Sequence, residues 1–337
     1  MGNRATPPRS FNTIKHSQRD ARVKRRRQQR LVLLSMFATV ALILVCTLVL
    51  LVGSIVGALA NLSQNPGNED DSGKEGDTPS PSGIEYQAIT KSSSDIQFGE
   101  LILVNETHEY RFPSGLSLIN VYDNRTKING SNIYQVTYNT YQLERSAFSA
   151  FDAMIVKYYN VSEDSSILIT SAYRTREDQE SLGSSVQPGY SDHHTGYCIA
   201  VMSASTTGRD YLEDSHWIYQ NCYKYGFVLR YPADKTAETG ISDYEHCLRY
   251  VGISHATYMT NNNLCLEEYV ELLKTSYSSD NHLSITGADN NQYEVYYVPA
   301  SSEDVTTINV PSNFAYTISG DNDSGFIITV NLSSPIA

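Results

Sequence analysis

A single long apolar run constrains this chain more than any other feature of its sequence. Residues 31–60 carry no charged side chain and consist mainly of Leu, Val, Ile and Ala. The run exceeds the roughly 20 residues that a helix needs to cross a lipid bilayer. No small-residue cleavage pattern follows a short apolar core, so we expect an uncleaved transmembrane helix rather than a signal peptide.

The charges on either side of this run predict its orientation. Residues 1–30 contain 10 Lys and Arg residues and one acid, Asp20, and such basic tails stay in the cytoplasm. Beyond residue 60 the chain has 15 basic and 36 acidic residues, a formal net charge of −21. We therefore expect the main domain to be extracytoplasmic. A domain this acidic is no partner for nucleic acid.

Composition divides the exported part of the chain into three segments. Residues 61–94 are predicted to be a flexible extracytoplasmic linker, because positions 62–83 are rich in Asn, Asp, Gly, Ser and Pro. Residues 95–278 have the mixed apolar patterns of a folded domain. Residues 281–337 are predicted to be a small all-β appendage, since their apolar runs are short, alternating and separated by turn residues.

Periodicity predicts the elements of the folded domain. Apolar residues at helical spacing indicate an amphipathic helix over 142–159, followed by a strand over 166–171. The later elements are a helix within 215–229 closed by Gly226, strands at 227–232 and 249–252, a helix at about 262–275, and appendage strands at 293–298, 307–310 and 326–330. This order predicts an α+β fold with a small, mostly antiparallel sheet flanked by helices.

The five cysteines divide by compartment. Cys46 lies within the apolar run, and the other four are in the exported part: Cys198, Cys222, Cys247 and Cys265. An even number of cysteines in an oxidising space permits two disulfides, with three possible pairings.

Several short motifs occur in a fixed order along the folded domain. The segment Ser191-Asp192-His193-His194-Thr195-Gly196 leads into an apolar strand. The other motifs are Ser171-Ala172-Tyr173-Arg174-Thr175 with Gln179, Pro188-Gly189-Tyr190, Tyr225-Gly226-Phe227-Val228-Leu229-Arg230-Tyr231-Pro232, Thr239-Gly240-Ile241-Ser242, Arg249-Tyr250-Val251-Gly252 and Leu266-Glu267-Glu268-Tyr269. Over roughly residues 95–275 the chain resembles the VanY-type zinc D-alanyl-D-alanine carboxypeptidases, bacterial peptidases of the peptidoglycan. The resemblance implies the VanY/hedgehog-like peptidase core.

The resemblance also implies a zinc site, and this chain departs from it. The family holds zinc with a His, an Asp and a second His, and uses a Glu as general base. At these positions the chain has His193 as the only retained ligand, Ala200 for the Asp, Cys247 for the second His and Tyr244 for the Glu. A catalytic zinc needs three protein ligands, and Ala offers no donor atom. We therefore expect no zinc and no catalytic residue.

Two arrangements of the altered site follow from the resemblance. In one, a Cys198–Cys247 disulfide takes the place of the metal, and Cys222–Cys265 is the second disulfide. In the other, a metal is held by a rearranged His/Cys site, because Cys247 binds zinc well as a thiolate. Further donors beside the substituted positions are His194, Asp243, Glu245 and His246.

The substrate-binding positions are better preserved than the metal site. The resemblance implies that Arg174 binds the terminal carboxylate of a peptide, a task suited to a bidentate guanidinium, with Gln179 and Ser191 also in the substrate site. Together with the apolar run, the resemblance implies a single-pass protein of a bacterial membrane that binds the peptidoglycan stem peptide ending in D-Ala. The substituted ligand positions lead us to expect a pseudoenzyme without zinc. The alternatives are an active zinc carboxypeptidase with the rearranged site and a structural module of the cell envelope.

Overall fold

The computed structural model describes residues 83–205, 208–213, 215–242 and 246–336. The predicted cytoplasmic tail, the predicted transmembrane helix and the first part of the predicted linker lie outside these residues. Within the described ranges, no helix has both the length and the apolar character needed to cross a membrane.

Strands are the most numerous elements of the described chain. They are β1 (Tyr86–Ser92), β2 (Leu118–Asn120), β3 (Lys127–Ile128), β4 (Ser131–Asn132), β5 (Gln135–Val136), β6 (Gln142–Glu144), β7 (Ile167–Ser171), β8 (Cys198–Ser205), β9 (Gly208–Asp210), β10 (Phe227–Leu229), β11 (Cys247–Tyr250), β12 (Leu283–Thr286), β13 (Gln292–Pro299), β14 (Val305–Pro311), β15 (Phe314–Gly320) and β16 (Gly325–Pro335).

The helices lie mainly in the first two thirds of the described chain. They are α1 (Val121–Asn124), α2 (Arg145–Ser162), α3 (Arg176–Ser181), α4 (Trp217–Asn221), α5 (Thr236–Thr239), α6 (Ile253–Asn262) and α7 (Leu266–Ser276). Short 3-10 helices occur at Ser93–Gln97, Asp192–Thr195, Cys222–Tyr225 and Ala233–Lys235.

The central sheet has the strand order β10-β11-β8-β7-β5, with β9 paired to β8. Its pairs are antiparallel except for β5 and β7, which run parallel. Helix α2 covers one face of this sheet with a stripe of buried side chains that recur at helical spacing, among them Phe151, Met154 and Ile155. These pack with Ile169 and Ile199 of β7 and β8 in the main apolar core. The candidate site lies on the opposite face of the sheet, where Cys198 and Ala200 of β8 point.

A second sheet, with the order β12-β13-β16-β15, lies in the C-terminal part of the chain. It shares an apolar cluster with the last two helices, in which Tyr269 and Leu273 of α7 pack with Val295 and Tyr297 of β13. Residues 281–336 therefore share buried contacts with the helices of the preceding domain. All described residues fall in one compact unit.

The predicted linker is wrong for its last part. Strand β1 pairs antiparallel with β14 over its whole length, from Tyr86 opposite Pro311 to Ser92 opposite Val305. Ile89 packs against the apolar cluster that contains Ile308. The polar composition of the segment concealed this strand, because its backbone is held by hydrogen bonds to β14 and most of its side chains are exposed.

The predicted mixture of helices and strands in small sheets is confirmed. Helix α2 begins three residues later than the prediction of 142–159 and ends at Ser162. Helix α6 was not predicted, because its buried side chains include Ser254, His255 and Thr257 and so give no apolar periodicity.

Candidate active site

The register of β8 and β11 places three small side chains on one face of the sheet. Cys247 lies opposite Ala200, and Arg249 lies opposite Cys198. Because strand side chains alternate between faces, Cys198 and Ala200 point to the same side as Cys247. These three residues and Tyr231 form a small buried cluster.

A 3-10 helix over Asp192–Thr195 brings His193 to this cluster. The turn ends at Gly196, whose φ of 77° is a left-handed conformation that favours glycine. Nδ1 of His193 lies 2.8 Å from the carbonyl oxygen of Ala172. Since a carbonyl only accepts, Nδ1 donates and Nε2 keeps its lone pair. Nε2 is 3.5 Å from Sγ of Cys247 and 3.9 Å from Sγ of Cys198.

These three side chains fit a zinc ion. The ligand atoms of His193, Cys198 and Cys247 all lie within 4.8 Å of one another, and all three residues are buried. A tetrahedral zinc with bonds of roughly 2.0–2.3 Å keeps its donors about 3.5–3.8 Å apart. A zinc ion bound here would supply a Lewis acid and an activated water. The chain's own part is to hold the imidazole in one tautomer and the two sulfurs in a dry pocket.

Both predicted disulfides are wrong, since all four described cysteines are free thiols. Cys198 and Cys247 are diagonal across the strand pair rather than directly opposite. Diagonal Cα atoms are roughly 7–8 Å apart, beyond the usual range for a disulfide. Cys222 belongs to the main core, whereas Cys265 caps α7, where its backbone N–H donates to Glu268.

The surroundings of Cys198 favour its neutral thiol. Burial, and then the hydrogen bond to Cys247, raise the pKa of Cys198 well above its ordinary value.

Arg174 follows β7 and is braced by two neutral side chains. Its Nε donates to Oγ of Ser171 at 2.9 Å, and its Nη1 donates to Oε1 of Gln179 at 2.9 Å. Gln179 is itself buried and donates to the carbonyl oxygen of Val186 at 2.9 Å. Arg174 is only half-buried, so part of its side chain is accessible to a ligand.

The remaining histidines near the site have different roles. Nδ1 of His194 donates to the carbonyl of Arg174 at 2.7 Å, and Nε2 accepts from the N–H of Gly189 at 3.0 Å. Both nitrogens of His194 are therefore engaged in positioning this loop. Burial, followed by the electrostatic effects of His193 and Arg174, lowers the pKa of His246 to about 4. Its ring centroid is 5.0 Å from that of Tyr211, which is exposed.

A buried ionic network fixes the position of the loop that carries His193. Oδ2 of Asp192 is 2.9 Å from Nε of Arg230 and 3.1 Å from Nε of Arg249. Arg230 also donates twice to Glu267, at 2.9 and 2.6 Å. Burial raises the pKa of Glu267, but the charge and hydrogen bonds of Arg230 outweigh it and lower that pKa overall.

The motifs containing Arg230, Arg249 and Glu267 were apparent in the sequence, but this network was not. Asp192 stands between Ser191 and His193 of the motif, and the sequence gives it no separate role. The structure brings it together with residues 38 and more positions away. The sequence offered one signal of this network: an acid next to a candidate ligand histidine, with arginines within two of the other motifs.

Ser191, the third predicted substrate residue, is buried, and its carbonyl accepts from the N–H of His194 at 3.0 Å. Tyr244, Asp243 and Glu245 lie outside the described residues.

The fold and the site together are those of a metallopeptidase-like domain with an altered ligand set. A family profile described as "VanY: D-alanyl-D-alanine carboxypeptidase" matches residues 140–253. A D-alanyl-D-alanine carboxypeptidase of Enterococcus faecium is 34% identical over 256 residues, which cover 72% of this chain and 79% of that protein. The chain therefore belongs to the VanY D-alanyl-D-alanine carboxypeptidase family.

Two further relatives extend this comparison. The "Putative carboxypeptidase YodJ" of Bacillus subtilis (strain 168) is 31% identical over 133 residues, covering 37% of this chain and 47% of that protein. The crystal structure of the vancomycin resistance D,D-dipeptidase VanXYg, in complex with a D-Ala-D-Ala phosphinate analog, matches with a TM-score of 0.63 and 28% identity. The match covers 73% of this chain and 99% of that one.

Proposed function

We propose that this protein binds the peptidoglycan stem peptide through its C-terminal D-Ala. The observation that carries the proposal is the guanidinium of Arg174, which Ser171 and Gln179 hold in one orientation. The backbone N–H of Arg174 also donates to the carbonyl of His193 at 3.2 Å, which keeps the two residues adjacent. A planar guanidinium matches a carboxylate with two parallel hydrogen bonds. Relatives named for D-Ala-D-Ala chemistry, and a similar structure solved with a D-Ala-D-Ala phosphinate analog, support this ligand class.

We further propose that binding occurs without efficient hydrolysis. Ala200 contributes no donor where the family has an Asp, and Tyr244 stands where the family has its general base. A tyrosine with an ordinary pKa near 10 is a weak base at neutral pH. The protein would then recognise cell-wall peptides rather than trim them.

A working carboxypeptidase is the second candidate. The specific observation in its favour is that His193, Cys198 and Cys247 together supply three donors, the number that catalytic zinc sites use. In this case the three residues would hold the metal, and Arg174 would orient the substrate.

We also propose the location of the domain. The apolar run at 31–60 and the basic residues before it support a single-pass protein of a bacterial membrane, with its N-terminus in the cytoplasm and residues 61–337 outside. With this topology, the peptide site would lie in the compartment that contains peptidoglycan.

The proposed binding is tested with the full chain and a pentapeptide that ends in D-Ala-D-Ala. We expect calorimetry to show binding of the free acid and much weaker binding of the C-terminal amide, which lacks the charge that Arg174 would hold. Arg174→Ala should weaken binding of the free acid by about 2–5 kcal/mol, roughly 30-fold or more. The matched control is Arg176→Ala, which removes a nearby exposed guanidinium and should leave affinity within a few-fold.

Three outcomes of this experiment separate the alternatives. Equal affinity for acid and amide would contradict a carboxylate contact at Arg174. No binding of either peptide would favour a structural module of the cell envelope. Release of D-Ala that a chelator abolishes would establish the working carboxypeptidase.

A further inference from the structure

The position of Cys198 changes what the altered zinc site is able to bind. Of the family's three ligand positions, His193 and Cys247 still carry donors and Ala200 does not. Cys198 lies two residues before Ala200 on the same face of β8, and its sulfur lies 3.9 Å from Nε2 of His193. The third possible donor therefore lies two residues earlier on β8 than the family's Asp position.

We propose that His193, Cys198 and Cys247 bind one metal ion through an imidazole nitrogen and two thiolates. This would replace the nitrogen and oxygen ligands of the family with a sulfur-rich set, and it goes beyond the proposed stem-peptide binding. It also replaces the expectation from the sequence that no zinc is bound.

The imidazole of His193 has the tautomer and the orientation that metal binding requires. Nδ1 of His193 donates to the carbonyl of Ala172, so Nε2 presents its lone pair to the two sulfurs. Metal-binding histidines in proteins usually have their second nitrogen fixed by a carbonyl or carboxylate in this way. The loop itself is fixed one residue earlier, where Asp192 is bound by Arg230 and Arg249.

Distance and burial agree with coordination by all three residues. Nε2 of His193 is 3.5 Å from Sγ of Cys247, close to the roughly 3.5–3.8 Å separation of neighbouring donors around zinc. His193 is 3% exposed, and both cysteines are 0% exposed, so water is largely excluded from the donors.

The donor set selects the class of metal. Thiolates favour Zn²⁺, Cu⁺ and similar soft or borderline ions over Mg²⁺, Ca²⁺ and Mn²⁺. When Zn²⁺ binds, the two thiols lose their protons to solvent, and two negative sulfurs neutralise the two positive charges of the ion. A buried centre without net charge results, which reduces the cost of excluding water.

Cobalt substitution tests the proposal directly. The full chain is purified in reductant, stripped with a chelator and titrated with Co²⁺, whose bonds to thiolates produce a near-ultraviolet charge-transfer band. We expect one Co²⁺ per chain, a band of the intensity of two thiolates, and displacement by Zn²⁺. Cys198→Ser and Cys247→Ser should each lose about half of this band. Cys222→Ser, which removes a buried thiol elsewhere in the core, should retain it.

A measurement on the wild-type protein tests the proposal even if the cysteine variants fail to fold. X-ray absorption of the zinc-loaded wild-type chain should show two sulfur neighbours at about 2.3 Å. A spectrum with one sulfur, or with nitrogen and oxygen only, would overturn the assignment of Cys198, and the absence of stoichiometric metal would overturn the centre altogether. Neither experiment contains a peptide, so these results and those on stem-peptide binding are independent.

Discussion

Arg174 is the residue on which the proposed peptide binding depends, and its orientation is set by neutral neighbours. Gln179 is buried and holds Nη1 of Arg174 at 2.9 Å, while its amide nitrogen is anchored to Val186. A neutral partner fixes a guanidinium without neutralising it. The full positive charge therefore remains available for a carboxylate.

Gln179→Leu should weaken peptide binding although Gln179 need not touch the peptide. A hydrogen bond to a charged group contributes roughly 1.5–3 kcal/mol, so we expect affinity for the D-Ala-D-Ala acid to fall about tenfold or more. Calorimetry with acid and amide peptides checks this. The two affinities should approach each other in the variant, which a purely structural defect would not produce. Gln187→Leu, at an exposed site nearby, is the control and should bind as the wild type does.

At the scale of elements, one ionic network joins the metal loop to the strand and helix beneath it. Asp192 in the 3-10 turn, Arg230 after β10, Arg249 on β11 and Glu267 on α7 carry two positive and two negative charges. Buried charges are tolerated only when they are paired in this way. The position of His193 therefore depends on elements distant in sequence.

Asp192→Asn should destabilise the fold strongly. The substitution removes the buried carboxylate charge that both Arg230 and Arg249 contact, and removing one partner of a buried pair typically costs about 3–5 kcal/mol. Urea unfolding of the full chain, followed by the fluorescence of its single tryptophan, Trp217, measures this. Glu109→Gln breaks an exposed ion pair with Arg176 and should cost less than about 1 kcal/mol. Similar losses in both variants would contradict the role assigned to the network.

At the scale of the whole molecule, a buried histidine joins the helices to the C-terminal sheet. His255 on α6 contacts the hydroxyl of Tyr269 on α7 at 2.8 Å and that of Thr329 on β16 at 2.9 Å. Burial lowers the pKa of His255 from 6.5 to about 3. The folded protein thus keeps this imidazole neutral at pH values where the unfolded chain protonates it.

The stability of the protein should therefore fall as the pH falls below about 6.5. Between the two pKa values the unfolded state binds more protons, so the contribution of His255 is present above pH 6.5 and is lost towards pH 3. From pH 6.5 to 4.5 the loss is about 2 kcal/mol. His255→Gln should reduce the pH dependence by that amount, as measured by urea unfolding at both pH values. If His255→Gln and the half-exposed control His108→Gln show the same pH dependence, this account is incorrect.

The sequence alone determined the features that depend on local pattern. Helical spacing of apolar residues predicted α2, because one stripe of such a helix must be buried. Motif order predicted the family and identified His193, Ala200 and Cys247, because ligand residue types at fixed spacing need no knowledge of packing. Where a local pattern was absent, the prediction failed, as for the polar buried face of α6 and the exposed strand β1.

Only the tertiary structure decided how the cysteines are arranged. Strand alternation places Cys198 on the face of Ala200, but the register with β11 makes Cys198 and Cys247 diagonal neighbours that share the imidazole of His193. Register depends on pairing between residues about 50 positions apart, which no local pattern encodes. The same holds for the pairing of β1 with β14 and for the ion pairs of Asp192. Their partners come from distant segments of the chain, so these interactions stabilise the protein only once the fold has assembled.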